Sequence, residues 1–346
     1  MIRSTTSVLI NEEIVPLVSR EQKLSLDNSA VIEAKEALLR WQPRYAFSHH
    51  LPVLGRGGSK SYFVVKNSGE NRIMSISSYK KTLSAVRNQE EGKHLIQLLK
   101  SIDHVNIVPL LDCDYNVVKN RMVCIRKYYP FGSLYDFCKG VNPIRDLSVK
   151  AETEGHVLIE QVIRRFGLQI LNGITALFSM GIRYPQLSAH NIMVEKVNGE
   201  FVVKLSELEN SFIGAQNHYQ QLYNNNTTKN VQRDEILAFG KILYFMATKD
   251  HSNDFFAANN WEVFKKDSSK RFFLEIESEQ LRAILNQIFI TRKITSLKAL
   301  AKDPYFCGLE KSLVLESNSI KIDRPSQLIL SEAFGRIEKA INMQSQ

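Results

Sequence analysis

The sequence predicts an α+β chain built as two lobes, a small β-rich one followed by a larger, mostly helical one. Three observations predict it. Short β-rich runs, Tyr62-Phe63-Val64-Val65 and Ile73-Met74-Ser75-Ile76, crowd into the front of the chain around Asn67-Ser68-Gly69, a hairpin signal. Beyond Pro130-Phe131-Gly132-Ser133 the period changes, and Val162, Phe166, Ile170, Ile174 and Leu177 recur every three or four residues, as on one face of a long helix. With 346 residues, 44% hydrophobic and 23% charged, the chain can bury a sizeable core as one two-lobed unit.

Residues 1–45 read as an extension whose second half, Ser29 to Trp41, sets Val31, Ala34, Leu38 and Trp41 at helical spacing. This predicts a docked helix capped near Asp27 or Ser29. Residues 46–126 form the first lobe: two or three antiparallel strands over Leu51 to Ser77 that include the two runs above, a helix over about Leu83 to Ser101, and two further strands at Asn106 to Leu111 and Met122 to Ile125. Five strands and one helix are predicted for it. Residues 127–132 are a hinge and 133–346 the second lobe. There the long helix stops at Met180-Gly181, and Asn191 to Val194 and Phe201 to Leu205 flank Asn198-Gly199, the dipeptide of a tight hairpin turn. Helices are predicted over Glu235 to Met246, Ser278 to Ile290, Ser296 to Ala301 and Ser326 to Met343. The last carries Leu330, Phe334, Ile337 and Ile341 on one face.

Composition narrows the function classes. Cys113, Cys124, Cys138 and Cys307 form no C-x-x-C pair and have no His at zinc-ligand spacing, which speaks against a metal centre and a disulfide framework and fits a reducing cytoplasm. The start, Met1-Ile2-Arg3-Ser4, has no apolar signal core and no myristoylation glycine. The most apolar later stretch, Ile236 to Ala247, carries Lys241 and is too short to span a bilayer, so membrane contact is expected to be peripheral or through a partner. The formal charge is +9, and residues 46–132 hold thirteen Lys/Arg against six Asp/Glu, 13 − 6 = +7. No basic run is interleaved with aromatics, so this reads as a solvated face and not as a nucleic-acid surface.

Five segments carry chemistry-bearing residues in a telling order: Gly55-Arg56-Gly57-Gly58-Ser59-Lys60, His104-Val105-Asn106-Ile107-Val108, Tyr184-Pro185-Gln186-Leu187-Ser188-Ala189-His190-Asn191, Glu207-Leu208-Glu209, and Glu235-Ile236-Leu237-Ala238-Phe239-Gly240. With the elements between them, they resemble the protein-kinase fold over residues 46–310, a small β-rich N-lobe joined to a mostly helical C-lobe.

The resemblance implies a vestigial nucleotide cleft lined by Gly55, Gly57, Ser77, Arg126, Asn191 and Glu207, in which most catalytic positions are degenerate. Gly55 and Gly57 match the first two glycines of G-x-G-x-x-G and Lys60 takes the third; the segment reads as a phosphate cradle or as a tight turn between strands. Ser77 stands where the strand lysine pairs with phosphates, and Leu95 where a helix glutamate meets that lysine. Gln186 replaces the aspartate beside the substrate hydroxyl and cannot accept a proton as a carboxylate does. His190 reads as a surface or structural histidine. Glu207 replaces the magnesium-binding aspartate; with Asn191 it is the one remaining candidate metal pair, and no metal or cofactor is expected beyond weak or vestigial ATP and magnesium binding. Leu99, Leu110, Tyr184 and Leu208 rebuild the apolar column that joins the lobes. Arg126, six residues before Gly132, falls at the gatekeeper position, and with the usual lysine and glutamate gone it is expected either to contact Glu207 or to reach solvent along the hinge.

Arg183 to Asn191 and Leu205 to Ser211 are similar to the degenerate loops of the PX-domain-containing kinase-like and slowpoke-binding pseudokinases. The 45-residue leader is too short for a PX domain, so the slowpoke-binding branch is the closer match. The resemblance implies a catalytically degenerate cytoplasmic scaffold that binds and modulates a slowpoke-type, calcium-activated potassium channel. It also implies 14-3-3 binding to a phosphorylated Ser or Thr, for which Arg3-Ser4-Thr5-Thr6 and Arg56-Gly57-Gly58-Ser59 set a basic residue ahead of a hydroxyl. The alternative is a low-activity Ser/Thr kinase that uses Glu207 and Asn191 for metal and Lys80 or Lys60 for the phosphates.

Overall fold

The computed structural model describes residues 20–52, 60–78, 86, 88–144, 153–184, 187–213, 231–248, 273, 275–307, 330, 332, 335 and 336. Gly55, Gly57, Lys80, Lys81, Gln186 and the hydroxyls of Ser4, Thr5, Thr6 and Ser59 lie outside them.

The first lobe is a five-stranded antiparallel sheet, β1 (Ala46–His50), β2 (Lys60–Asn67), β3 (Glu70–Ser78), β4 (Leu110–Asn116) and β5 (Arg121–Lys127), in the order β1-β2-β3-β5-β4. Ser68 and Gly69 turn β2 into β3 with φ of 49° and 84°, the two positive values that a two-residue hairpin requires. Strand β4 starts at Leu110, later than the predicted Asn106. Pro109 has no N–H to give a ladder, and the buried Asn106 side chain donates instead to the Val203 carbonyl at 3.0 Å.

Helix α1 (Arg20–Leu38) begins well before the expected cap, so Asp27 and Ser29 lie inside it, and a 3₁₀ turn follows at Leu39–Trp41. Ala34 and Leu38 bury against Tyr45, Phe63, Val65, Met74, Ile76, Val123 and Ile125 on one face of the sheet. Asp112 locks the extension down: it accepts from Tyr45 Oη at 2.7 Å and pairs with Arg44 at 2.8 Å and Lys100 at 3.0 Å.

Helix α2 (Gln89–Ser101) starts later than Leu83, where Asn88 caps it by accepting from the Glu90 and Glu91 N–H groups. It lies along β4 and presents Leu95 and Leu99 to the opposite face of the sheet.

The second lobe opens with α3 (Leu134–Lys139), closed by a capping box between Ser133 and Asp136 and a left-handed Gly140. Helix α4 (Glu160–Ser179) is the predicted long core helix. A hairpin follows, β6 (Ile192–Val197) and β7 (Glu200–Leu205), turned by Asn198 and Gly199 with φ of 51° and 87°. Next come α5 (Val231–Ala247), α6 (Glu279–Phe289) and the short α7 (Leu297–Leu300). Of Ser326 to Met343, the described Leu330, Glu332, Gly335 and Arg336 are helical; Leu330 is buried in the main core and Arg336 approaches Glu91 of α2 at 3.4 Å.

One main core runs through both lobes. The backbone joins them too: Leu205 N–H donates to Asn106 at 2.8 Å and Val108 N–H to Leu205 at 2.8 Å, so the segment before β4 is zipped to β7.

Candidate functional site

Strand alternation decides what the first lobe offers to the space between the lobes. In β3, Met74 and Ile76 point toward α1, so Ser75 and Ser77 must point the other way. In β5, Val123 and Ile125 share the α1 side, which leaves Met122, Cys124 and Arg126 on the opposite face. Arg126 is 5% exposed there and donates from Nη1 to Ser75 Oγ at 3.0 Å. Ser77 is also buried, and Leu95 packs in the core, so neither position carries a charge.

The second lobe supplies the facing wall. Tyr184 is buried, and its hydroxyl donates to the Ser206 carbonyl at 2.5 Å and the Asn191 carbonyl at 3.3 Å. Its backbone N–H donates to Glu235 Oε1 at 3.2 Å, so α5 holds this loop through a carboxylate. Burial pushes Glu235 up to about 7, against the opposing pull of the Tyr184 N–H and Arg183. Tyr184, Leu99 and Leu208 are buried in one core with Leu110 packed at its edge, the expected column between the lobes. His190 lies on the 3₁₀ turn Ala189–Asn191, its ring 4.2 Å from that of Tyr135.

After β7 the chain enters Glu207 in the left-handed region, φ 64° and ψ 32°, a conformation that costs a non-glycine residue roughly 1–3 kcal/mol and marks a position held by its surroundings. The turn throws Leu208 into the column and brings Glu207 and Glu209 to the first lobe. There two carboxylates meet two cations. Arg126 reaches Glu207 at 3.7 Å and makes a closer ion pair with Glu209. Lys60 pairs with Glu207, lies 2.8 Å from Glu209, and donates to Asn210 Oδ1 at 3.3 Å. Asn210 Nδ2 returns a bond to Glu207 at 3.3 Å. Burial works against the Glu209 charge, but Arg126 and Lys60 outweigh it and hold its pKa down at about 2. Arg126 is likewise disfavoured by burial and held charged by Glu209.

The expected Arg126–Glu207 contact is thus present, but the nearer carboxylate is Glu209, and Arg126 does not run out along the hinge. Arg126 and Glu207 are brought together, Ser77 is buried on the same face of β3 as Ser75, the Asn191 carbonyl accepts from Tyr184 and from the Ser206 N–H, and Leu95 belongs to the core. Lys60 is not aimed at an open phosphate site, since its ammonium lies on Glu207 and Glu209.

These residues do not fit a magnesium–nucleotide. A cation approaching Glu207 would meet the Lys60 ammonium, and among the described residues of this cluster the two positive and two negative charges already cancel, so these four groups together offer a polyphosphate no net charge. Among the described residues no group of three or more His, Cys, Asp or Glu side chains is placed to hold a metal. Nor is any helix among them long and apolar enough to cross a membrane.

Glu209 and Lys60 are what sequence reasoning passed over as partners. A usable signal was present: two acids flanking one apolar residue, Glu207-Leu208-Glu209, put both carboxylates beside a leucine that must be buried. A facing lobe with two cations at cleft positions then has one solution that leaves no buried charge unpaired.

The protein kinase domain family matches residues 48–231, just over half of the chain. A Dictyostelium discoideum protein named probable inactive serine/threonine-protein kinase slob2 is 29% identical over 212 residues, covering 59% of this chain and 36% of that protein. The PX domain-containing protein kinase-like protein of Mus musculus is 25% identical over 217 residues, covering 60% of this chain and 35% of its own length. The chain therefore spans about a third of the length of these two curated relatives. A crystal structure of Rad53 1–466 in complex with AMP-PNP shares the fold, with a TM-score of 0.51 at 16% identity over 80% of this chain and 70% of that one.

Proposed function

The chain belongs to the protein kinase family, and from that premise we propose that it works as a pseudokinase, a kinase-fold scaffold that binds a protein partner and does not transfer phosphate. The observation that carries this reading is the pairing of Lys60 and Arg126 with Glu207 and Glu209. Phosphoryl transfer needs cations free to face phosphate and a carboxylate free to face metal. Here these two cations and two carboxylates face each other. Ser77 and Leu95 supply no substitute ion pair, and Gln186 brings no carboxylate to the substrate hydroxyl. The name of the slob2 relative, a probable inactive kinase, points the same way.

The partner we propose is the cytoplasmic part of a slowpoke-type, calcium-activated potassium channel, supported by the resemblance of Arg183 to Asn191 and Leu205 to Ser211 to the loops of slowpoke-binding proteins. In this reading a 14-3-3 protein is a second partner and the chain reaches the plasma membrane through the channel.

The test is radiolabel transfer from ATP to the protein itself and to generic peptides, run beside a thermal-shift titration with ATP with and without magnesium. No transfer and no magnesium-dependent shift are expected. Transfer that persists in the wild type and vanishes in Asn191→Ala or Glu207→Ala would overturn the reading and restore a low-activity kinase. The channel is tested separately, by association of the purified chain with the channel's cytoplasmic domain.

A further inference from the structure

Strands β4 and β5 are joined by a short turn over residues 117–120, and their register sets Cys113 directly opposite Cys124. The two Sγ atoms are 3.4 Å apart, and both cysteines are free thiols. Directly opposed residues of an antiparallel pair have Cα atoms about 4.5 or 5.5 Å apart, and a disulfide spans about 4.4–6.8 Å, so the pair can close by side-chain rotation. The other two cysteines are placed differently, Cys138 buried in the main core, and Cys307 exposed after the 3₁₀ turn Pro304–Phe306.

We propose that Cys113 and Cys124 are a reversible disulfide site that takes a low-molecular-weight disulfide, such as oxidised glutathione, as its co-reactant. Cys113 is the entry point: it sits on the edge strand, and although its thiol is packed toward the core, the residue is only partly buried, whereas Cys124 is buried entirely. Its thiolate attacks one sulfur of the glutathione disulfide, forming a protein–glutathione bond and releasing one glutathione thiolate. The Cys124 thiolate then attacks the Cys113 sulfur, forms the cross-strand bond and expels the second glutathione thiolate. Two protein thiols are oxidised, one disulfide is reduced, and the two thiol protons leave with the two glutathiones.

The pair is a slow responder by construction. Burial, with Cys124 and Glu209 adding to it against the pull of Arg126, holds the Cys113 thiol well above its ordinary pKa. In a reducing compartment it rests as two thiols, so the bond reports a sustained oxidising shift. Its place gives the bond a target. Cys124 lies two residues before Arg126 on the same strand face, and Ser75, the register partner of Cys124, accepts the hydrogen bond from Arg126.

The experiment uses the full chain carrying Cys307→Ser, so that the exposed thiol forms no adducts. It is incubated with oxidised glutathione at mildly alkaline pH, and the folded protein is then alkylated, digested and mapped by mass spectrometry. The expected product is a Cys113 peptide linked to a Cys124 peptide, lighter by two hydrogens and restored by dithiothreitol. Cys124→Ser should stop the reaction at a glutathione adduct on Cys113. Cys113→Ser, at the partly exposed edge position, should abolish both products and serves if Cys124→Ser fails to fold. Thiols that stay unmodified until denaturant is added, a persistent glutathione adduct in the parent chain, or cross-links only between molecules would each overturn the proposal.

Discussion

Arg126 and Glu209 meet across the boundary between the lobes, a buried guanidinium on β5 against a buried carboxylate just after β7. Removing one partner leaves the other buried without its nearest counter-charge. Glu209→Gln is expected to destabilise the chain by about 3–5 kcal/mol in urea unfolding, and Arg126→Met by a similar amount. The double variant Arg126→Met, Glu209→Leu is expected to recover most of the loss, because Lys60 and Glu207 keep each other. Additive losses in the double variant would show that the two residues act apart.

The same carboxylate sets an acid limit. Its folded pKa, about 2, lies below the ordinary 4.5, so the folded protein binds fewer protons than the unfolded chain between those values. The contribution of Glu209 is complete above pH 4.5 and is lost as pH falls toward 2. The stability difference between wild type and Glu209→Gln, followed by chemical denaturation, should therefore shrink over that window and stay level above it.

Glu235 behaves in the opposite sense. Its folded pKa is about 7 against 4.5, so the folded protein keeps a proton that the unfolded chain gives up. Stability from this group falls as pH rises from 4.5 to 7 and levels off beyond. Glu235→Gln keeps an oxygen to accept the Tyr184 N–H and has no charge to desolvate. The variant should gain on wild type steadily across that interval, and a flat difference would contradict the assignment.

Gly173 tests how closely the lobes are set. A methyl group added on this face of α4 would come within 2.9 Å of the Asn106 carbonyl oxygen and 2.9 Å of Leu205 Cδ1, at the point where the segment before β4 is zipped to β7. Alanine favours a helix over glycine by about 1 kcal/mol, but overpacking against backbone costs about 1–3 kcal/mol. Gly173→Ala is expected to lower the thermal midpoint, whereas propensity alone would raise it.

Much of the fold was legible because it was written in local chemistry. Asn198-Gly199 and Ser68-Gly69 have the residues that tolerate positive φ, and the three-to-four spacing from Val162 to Leu177 has one helical solution. The start of α1 was not legible, since the periodic apolar positions begin only at Val31 and the turns from Arg20 onward carry no such stripe. The late start of β4 depended on a non-local bond, Asn106 to Val203, which no window around residue 106 contains. In the site, the absent charges at 77 and 95 could be read by alignment alone. The recruited partners were harder: Glu207-Leu208-Glu209 signals two carboxylates beside a buried leucine, but which cations meet them is not local, since Lys60 and Glu209 lie 149 positions apart in sequence and come together only where the lobes face each other.

The left-handed Glu207 and its neighbours also make the present chemistry hard to undo one step at a time. Putting a lysine back at Ser77 would add a third cation to a cluster whose charges already cancel. A glycine at Glu209 would remove the nearer carboxylate of Arg126, and an aspartate at Glu207 would shorten the reach to Lys60. Each of these single replacements is unfavourable while the other members of the cluster stay as they are. The four charges are therefore interdependent: each such single change leaves one member of the cluster in surplus or farther from its counter-charge.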